Sequence, residues 1–361
     1  MFNSPMRGLN RSRNALRIGF ATTTLYAIFC HTAFATSILP DDPRLQPAKI
    51  RSIDNDGFSQ VFIDGYIHNP TVAAFQRSVS NGQEFGIVYM NSAGGDLVAA
   101  QKLGRAIRAK GYATQIGRLS SDGKTISTGI CESACPIAFV GGKFRLLDSG
   151  TGKLAVHRFY LANQGNWAND SKLLFTAERD LSRYLEEMGI SSQFFELIMK
   201  TPADKLTQIG RRASYDWGLA SAYANSVWDT DSHGSIRGLA ESPTGTLSIT
   251  FTCEPGMGIT TRVQVNPWFS AIALLNYDAQ SISVDGAKYP VDEVQVSVGD
   301  SAGHLSFTFV PSSNAVEALR QAKRVGYSWS YEHGPGEYYR TVDVPDRNTQ
   351  LSELISGCPR P

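Results

Sequence analysis

The sequence predicts an α/β domain followed by a smaller, mainly antiparallel β domain with one or two helices. From about Ser59, apolar strand-like runs alternate with amphipathic helical patterns, which indicates βαβ units. Beyond Thr244, apolar residues recur at every second position instead, as in antiparallel strands. The segment between these two patterns is rich in Gly, Ser and Asp, which is typical of a linker. We therefore expect an α/β domain over 36–230, a linker over 231–245 and a β-rich domain over 246–361.

Each element of the α/β domain follows from its local pattern. Residues 85–90 form a continuous apolar run, as in a strand buried on both faces of a parallel sheet. Residues 96–110 are predicted as a helix, because Leu97, Leu103 and Ile107 recur at helical spacing. The remaining strands are predicted at 61–67, 112–116, 154–160 and 226–228. The remaining helices are predicted from Asn69 and at 133–139, 171–188 and 191–200, with residues 119–128 as a loop.

The C-terminal domain has a different periodicity. Residues 247–253, 294–298 and 305–309 alternate apolar and polar side chains, which predicts strands with one buried face. Helices are expected over 315–325 and 350–355. No internal repeat and no catalytic motif stands out in this domain.

The first 35 residues have the three parts of a secretory signal peptide. Four arginines precede a short apolar core at 18–29, and Ala33-Phe34-Ala35 is a small-x-small cleavage site. Cleavage is expected after Ala35, which makes the protein periplasmic or secreted and leaves it without a stable membrane span. An uncleaved anchor is the alternative, but the core is shorter than the roughly 20 residues that a spanning helix needs. Phe29 before Cys30 argues against a lipoprotein, because such sites favour a small residue there.

The net charge and the number of cysteines limit the possible partners and suggest disulfide bonds. The net charge of +1 and the lack of a basic stripe argue against a nucleic-acid partner. Cleavage would remove Cys30 and leave four cysteines, an even number that suggests disulfides in an exported chain. Three pairings are open, and the nearest within each domain are Cys131–Cys135 and Cys253–Cys358. A metal site is the alternative for the first pair, although no histidine stands nearby at zinc-ligand spacing.

The segment Cys131-Glu132-Ser133-Ala134-Cys135 contains the candidate nucleophile. A serine hydroxyl needs a base, a group that orients the base, and donors where the oxyanion forms. His157 is the candidate base, and the Gly94-Gly95 turn after a buried strand can direct backbone N–H groups outward. Each feature also has an ordinary interpretation: Ser133 as a helix N-cap, His157 as a structural histidine, and the glycines as a common βα turn.

The order of these features resembles the proteolytic subunit of Clp protease and the wider ClpP/crotonase superfamily. Within it, the chain is most similar to uncharacterised exported ClpP-like proteins of bacteria. The resemblance covers residues 60–229 and rests on Asn91-Ser92-Ala93-Gly94-Gly95-Asp96, on the C-x-S-A-C segment and on a V-H-x-F-Y strand at His157. Two departures are the alanine at Ala93, where the family has proline, and the two cysteines that flank Ser133.

The resemblance implies a role for each matching residue. Ser133 corresponds to the nucleophile and His157 to the general base. Gly94 or Gly95, together with Ala134, corresponds to the oxyanion donors. For the third member of the triad, Asp204 lies nearest in register, and Asp216 is the alternative.

The predicted function is hydrolysis of a peptide bond in a peptide or protein substrate by a Ser-His-Asp triad. Neither a metal nor an organic cofactor is expected. An ATPase partner is not expected either, because the periplasm lacks ATP and the sequence has no G-x-x-x-x-G-K-[ST] motif. A homo-oligomer is suggested by the resemblance alone. The alternatives are a non-catalytic envelope-binding module on the same fold and an esterase-type acyl hydrolase. We also expect a Cys131–Cys135 disulfide to fix the turn that carries Ser133.

Overall fold

The computed structural model describes residues 48–55, 57–147, 152–160, 167–298, 304–345 and 349–359. The predicted signal peptide and its cleavage site therefore lie outside the described residues. None of the helices in the described part of the chain has both the length and the hydropathy that a bilayer crossing requires.

The first part of the chain is mixed α/β. Its strands are β1 (Lys49–Asn55), β2 (Phe58–Asp64), β3 (Phe85–Asn91), β4 (Ala113–Ile116), β5 (Arg118–Leu119), β6 (Ile126–Ser127), β7 (Cys131–Glu132), β8 (Arg145–Leu146), β9 (Leu154–Val156) and β10 (Thr207–Gln208). Its helices are α1 (Asn69–Ser78), α2 (Leu97–Lys110), α3 (Cys135–Phe139), α4 (Trp167–Glu187), α5 (Ser192–Lys200) and α6 (Arg211–Asp216).

Two sheets organise this part. A five-stranded sheet has the order β1-β2-β3-β4-β8, in which β2, β3, β4 and β8 are parallel and β1 is antiparallel at the edge. A three-stranded sheet has the order β10-β9-β7, with β7 and β9 parallel. The two sheets are linked where Ser92, just after β3, bridges to Cys131 of β7. The parallel strands β3, β7 and β9 therefore end near one another.

The helix α2 shows how local sequence sets an element's ends. The Asp96 side chain caps its N-terminus by accepting a 2.6 Å hydrogen bond from the Ala99 amide. Gly111, with φ of 77°, ends the helix in a left-handed conformation that glycine adopts at little cost. The predicted helix over 96–110 is confirmed within one residue.

The short helix α3, which follows Ser133, is fixed by its neighbours. A Cβ on Gly141 would lie 2.2 Å from the Gly104 carbonyl oxygen, so α2 and the end of α3 meet at two glycines. From α4, the buried Tyr184 hydroxyl donates a 2.7 Å hydrogen bond to the Ile137 carbonyl. Burial raises the pKa of Tyr184 and keeps this donor protonated. Because α3 is held from two sides, the start of the helix has a defined position.

The C-terminal part is built mainly from antiparallel strands. They are β11 (Asn225–Thr230), β12 (Ile236–Ser242), β13 (Gly245–Glu254), β14 (Gly258–Pro267), β15 (Ala279–Val284), β16 (Ala287–Pro290), β17 (Gln295–Val298), β18 (Leu305–Phe309), β19 (Arg324–Ser330) and β20 (Glu337–Asp343). The helices are α7 (Ser313–Leu319), α8 (Gln350–Gly357) and a 3-10 turn over Ala271–Asn276. A six-stranded sheet, β11-β12-β13-β14-β18-β17, and a four-stranded sheet, β16-β15-β19-β20, share a core rich in aromatic side chains.

Several predicted boundaries are wrong. Residues 231–245, predicted as a linker, contain β12, which pairs with β11 and β13. Ser232 and Gly234 lie in the turn before this strand, whereas Gly238 and Ser242 lie within it. The predicted helix over 315–325 ends at Leu319, and Arg324 begins β19, because sheet pairing on both sides of β19 outweighs the helical spacing. The strand β11, predicted as the last strand of the α/β domain, pairs in the six-stranded sheet instead.

Candidate active site

Three strand ends place Ser133, His157 and the Gly94-Gly95 turn at one edge of the parallel strands. In the β7–β9 pair, Cys131 lies opposite Leu154 and Glu132 lies opposite Ala155. The register continues one residue further, where the Ser133 amide donates a 2.9 Å hydrogen bond to the Ala155 carbonyl. Ser133 therefore follows β7 at the edge where His157 follows β9. The Gly94-Gly95 turn follows β3 at the same edge, which is where parallel sheets usually carry their ligand sites.

The backbone of Ser133 has an unusual conformation. Its φ is 58°, in the left-handed region, and among the described non-glycine residues only Asp285 and Glu293 share a positive φ. Such a conformation costs on the order of 1–3 kcal/mol and is found disproportionately at active sites. The helix α3 begins at Cys135 with Ala134 as its N-cap and no side-chain cap hydrogen bond. The interpretation of Ser133 as an ordinary helix cap is therefore wrong, and its half-buried side chain has no capping role.

The Gly94-Gly95 turn fits closely against the residues around it. Gly94 and Gly95 have φ of 120° and 146°, which side chains with a Cβ rarely adopt. A Cβ on Gly94 would lie 2.7 Å from the Ser133 Cβ, and a Cβ on Gly95 would lie 2.0 Å from the Ile67 carbonyl oxygen. Both positions require glycine, the first because Ser133 occupies the space and the second because the chain pairs with Ile67.

The backbone amides around Ser133 differ in whether they have acceptors. The Gly94 amide donates to the Ser92 hydroxyl at 3.1 Å. The amides of Gly95 and Ala134 have no acceptor within the described parts of the chain. Two N–H donors beside a serine hydroxyl are what an oxyanion hole requires, since they can bind negative charge that develops during acyl transfer. Of the three predicted oxyanion residues, Gly95 and Ala134 thus have available amides, whereas that of Gly94 is occupied.

The imidazole of His157 is oriented by the backbone. Its Nδ1 lies 2.8 Å from the Arg158 carbonyl oxygen. Because a carbonyl oxygen only accepts, Nδ1 carries the proton and Nε2 is left as the basic nitrogen. The Arg158 amide in turn donates to the Thr201 carbonyl at 2.9 Å, which fixes the segment that holds the ring. The ring of Tyr160 stacks beside the imidazole, with centroids 6.3 Å apart.

Neither predicted carboxylate contacts His157 in the described residues. Asp204 lies in the exposed turn after α5, and no hydrogen bond or ion pair joins it to another described residue. Asp216 ends α6 and forms an exposed ion pair with Arg212 at 3.6 Å. The role of Asp204 as third member of the triad remains a prediction. In this structure the orienting contact of the imidazole comes from a carbonyl oxygen rather than from a carboxylate.

Two supporting residues were not predicted from the sequence. The fully buried Ser92 hydroxyl contacts both the amide and the carbonyl of Gly94 at 3.1 Å. Asn91 donates to Asp64 at 2.8 Å and accepts from the Ile130 amide at 3.0 Å, which ties β2, β3 and the approach to β7 together. The role of Ser92 could have been predicted from the S-x-G-G segment, because a serine hydroxyl often forms a hydrogen bond with the backbone two residues further along the chain.

Tyr66 lies near Asp96 and near Tyr160, the residue whose ring stacks beside His157. Burial raises the pKa of Tyr66, and the nearby Asp96 carboxylate raises it further. Tyr66 therefore remains a neutral hydroxyl at neutral pH. Among the described residues, no group of three or more His, Cys, Asp or Glu side chains is placed to hold a metal ion.

Both predicted disulfides are present. Cys131 and Cys135 are bonded with a Cα–Cα distance of 5.1 Å, and Cys253 and Cys358 with one of 5.6 Å. The first bridge spans the turn that carries Ser133. The second connects β13 to the end of α8. Such bonds are compatible with an oxidising compartment.

No protein-family model matches the sequence. No curated protein matches it either. Among solved structures, the chain is similar to a mutant of ClpP1 from Listeria monocytogenes, with 15% sequence identity and a TM-score of 0.33. The alignment covers 45% of this chain and 88% of that chain. Likeness at this level assigns neither a family nor a function to the chain.

Proposed function

We propose that this protein is an exported serine hydrolase that cleaves peptide bonds. The observation that carries the proposal is the geometry of Ser133: a left-handed residue at a strand end, in contact with the Gly94-Gly95 turn and followed by Ala134. The amides of Gly95 and Ala134 have no acceptor in the described chain. His157 follows the neighbouring parallel strand with Nε2 left as the basic nitrogen. A nucleophile, a base and candidate oxyanion donors, the components that acyl transfer needs, thus follow the ends of β3, β7 and β9.

The reaction follows the general course of serine hydrolysis. The Ser133 hydroxyl attacks the substrate carbonyl carbon while Nε2 of His157 accepts its proton. The resulting oxyanion is stabilised by the N–H groups of Gly95 and Ala134. His157 then gives the proton to the departing amine, which leaves an acyl group on Ser133. Water, activated by the same imidazole, releases the acid and restores the serine.

The carbonyl oxygen of Arg158 gives this site a neutral orienting group. It fixes the tautomer and the ring position, which are two of the functions that an aspartate serves in a Ser-His-Asp triad. A carbonyl dipole stabilises the imidazolium less than a full negative charge would. Asp204 remains the proposed third member of the triad through the resemblance to ClpP-like proteins. Because it is exposed and does not contact His157 here, we expect its charge to contribute little, and substitution of Asp204 tests that contribution.

The rest of the proposal concerns cellular context and organisation. Residues 1–35 would be removed on export, so the mature chain would begin at Thr36 in the periplasm or outside the cell. The α/β part would be a ClpP/crotonase-like catalytic domain, and the β-rich part a separate C-terminal domain. Assembly into a homo-oligomer and activity without an ATPase belong to the same proposal. Mass spectrometry of the protein exported by a bacterial host locates the first residue.

A fluorophosphonate probe tests the catalytic proposal directly, because it reacts with activated serines. The mature, oxidised chain should label, Ser133→Ala should not label, and His157→Ala should label at a strongly reduced rate. Ser80→Ala, at the exposed end of α1, is the control and should label like the native chain. Absence of labelling in the folded native chain would reject the hydrolase and favour a non-catalytic binding module. For a chain that labels, a panel of matched peptide and ester substrates separates a peptidase from an esterase.

A further inference from the structure

A disulfide encloses the candidate nucleophile. Cys131 lies in β7, Cys135 is the first residue of α3, and Ser133 is midway between them. Both cysteines are fully buried in the core of the α/β part. The bridge therefore joins the strand before the turn to the first helix residue after it. Any change in the turn must either preserve this short connection or strain it.

The turn needs such a constraint. A residue with a Cβ does not favour the left-handed region, so Ser133 would relax toward other conformations if its ends were free to move. Its amide is held by the Ala155 carbonyl, but the following amide, that of Ala134, has no acceptor in the described chain. An oxyanion donor must remain unpaired until substrate arrives. The turn thus lacks a hydrogen bond at the position where catalysis requires a free donor.

We propose that Cys131 and Cys135 are positioning residues, and that their disulfide holds Ser133 and the Ala134 amide in catalytic geometry. The inference rests on the proposed hydrolase function and adds a condition to it: the chain becomes competent only when it is oxidised. Oxidation removes two protons and two electrons from the two thiols as the S–S bond forms. A protein disulfide of the exchange-catalysing class accepts them and becomes a dithiol.

The burial of Cys131 and Cys135 determines when their disulfide can form. Because both cysteines are fully buried, the folded protein shields the bond from an added reductant. The redox state is fixed while the chain folds. A chain that folds in a reducing compartment would carry two buried thiols and a relaxed turn, whereas one that folds after export would be active. Activity is thereby confined to an oxidising compartment.

The second disulfide provides a matched control. Cys253–Cys358 closes a sequence separation of 105 residues in the C-terminal part, whereas Cys131–Cys135 closes a separation of 4. The chain-entropy contribution of a disulfide grows with the length of the loop that it closes. Removing the long-range bridge should therefore affect stability more, and removing the short bridge should affect catalysis more.

The experiment compares two double variants, Cys131→Ala with Cys135→Ala and Cys253→Ala with Cys358→Ala. For the first, kcat on an ester substrate and the labelling rate should fall about tenfold or more. KM should change little, because substrate still binds when the turn is relaxed and only the transition-state contacts are lost. The second should keep both rates at temperatures where it is folded, while its thermal midpoint falls further than that of the first. Equal kcat in the first variant and the native chain, or equal loss in both variants, overturns the proposal.

Native chain refolded with and without reductant compares both bridges absent with both bridges present, without substitution. Thiol trapping identifies the reduced species, and its labelling rate should match that of the Cys131→Ala, Cys135→Ala variant. Reductant added to the folded, oxidised chain should leave labelling unchanged. A reduced chain that labels at the native rate contradicts the positioning role alone. Failure of the oxidised native chain to label removes the proposed function and this inference with it.

Discussion

Gly94 and Ser133 are in such close contact that a single added methyl group would collide with the serine. A Cβ on Gly94 would lie 2.7 Å from the Ser133 Cβ and 3.1 Å from the Ala134 nitrogen. The turn after β3 thus forms one wall of the space in which the serine and the proposed oxyanion donor are placed. This contact links two segments almost 40 residues apart in sequence.

Gly94→Ala should therefore abolish most of the activity. The new methyl group must displace Ser133, and a displacement of about 1 Å at a reacting group lowers the rate on the order of a hundredfold. Gly111→Ala is the matched control, because Gly111 also has a positive φ but has nothing within 4 Å of a Cβ. It should cost about 1–2 kcal/mol of stability, because a residue with a Cβ does not favour the left-handed region, and it should leave the labelling rate unchanged. Labelling rates and thermal midpoints of both variants give the comparison, and similar labelling of the two would contradict the close contact.

Ser92→Ala should destabilise the Gly94-Gly95 turn. The buried hydroxyl accepts from the Gly94 amide, so its removal leaves a buried donor unpaired at a cost of about 1–3 kcal/mol. Activity should fall with stability because the turn supports Ser133. Ser78→Ala is the control. The Ser78 hydroxyl donates to the Phe75 carbonyl, which also accepts a hydrogen bond from the Val79 amide and so keeps a partner when the hydroxyl is removed. This variant should change stability by less than about 0.5 kcal/mol. Chemical denaturation measures both values.

Asp204→Asn should change the labelling rate by less than about threefold, because exposed charges interact weakly across water. The Arg158 carbonyl already orients the His157 ring in this structure. Asp216→Asn serves as the comparison, since Asp216 is also exposed but pairs with Arg212. A loss of about a hundredfold or more in Asp204→Asn alone would instead place this carboxylate in the working triad and show that the loop after α5 moves during the reaction.

The two disulfides should differ in their contributions to the free energy of unfolding. For sequence separations of 105 and 4, the chain-entropy model gives about 4–5 kcal/mol and roughly 2 kcal/mol. The longer bridge also attaches α8, whose Leu351 and Ile355 are buried in the C-terminal core. Guanidinium unfolding of the two double alanine variants under oxidising conditions tests the order of the effects. A larger loss for the Cys131–Cys135 variant would mean that native-state packing, rather than loop entropy, dominates.

Elements with long, regular patterns could be predicted, and very short ones could not. The strand β3 and the helix α2 were located within one residue, because each has a clear apolar pattern and α2 also has a capping aspartate. The strands β8 and β10 each comprise two residues, which is too few for any periodicity. In the segment 315–325, apolar spacing fitted a helix throughout, but the pairing of β19 with β15 and β20 ends the helix early.

The sequence by itself determined the residues that could react and the cysteines that could pair. An even set of cysteines, a serine between two of them, and a Gly-Gly turn after a buried strand are local features, and local chemistry is visible in the chain. Only the tertiary structure decided that Ser133 has a left-handed backbone and is not a helix cap. It also decided that the Gly94 amide has an acceptor, whereas the amides of Gly95 and Ala134 have none in the described chain. Finally, it decided that a carbonyl oxygen orients His157. These properties depend on contacts between strands distant in sequence. Hydrogen-bond partners and steric limits of that kind arise only when β3, β7 and β9 come together.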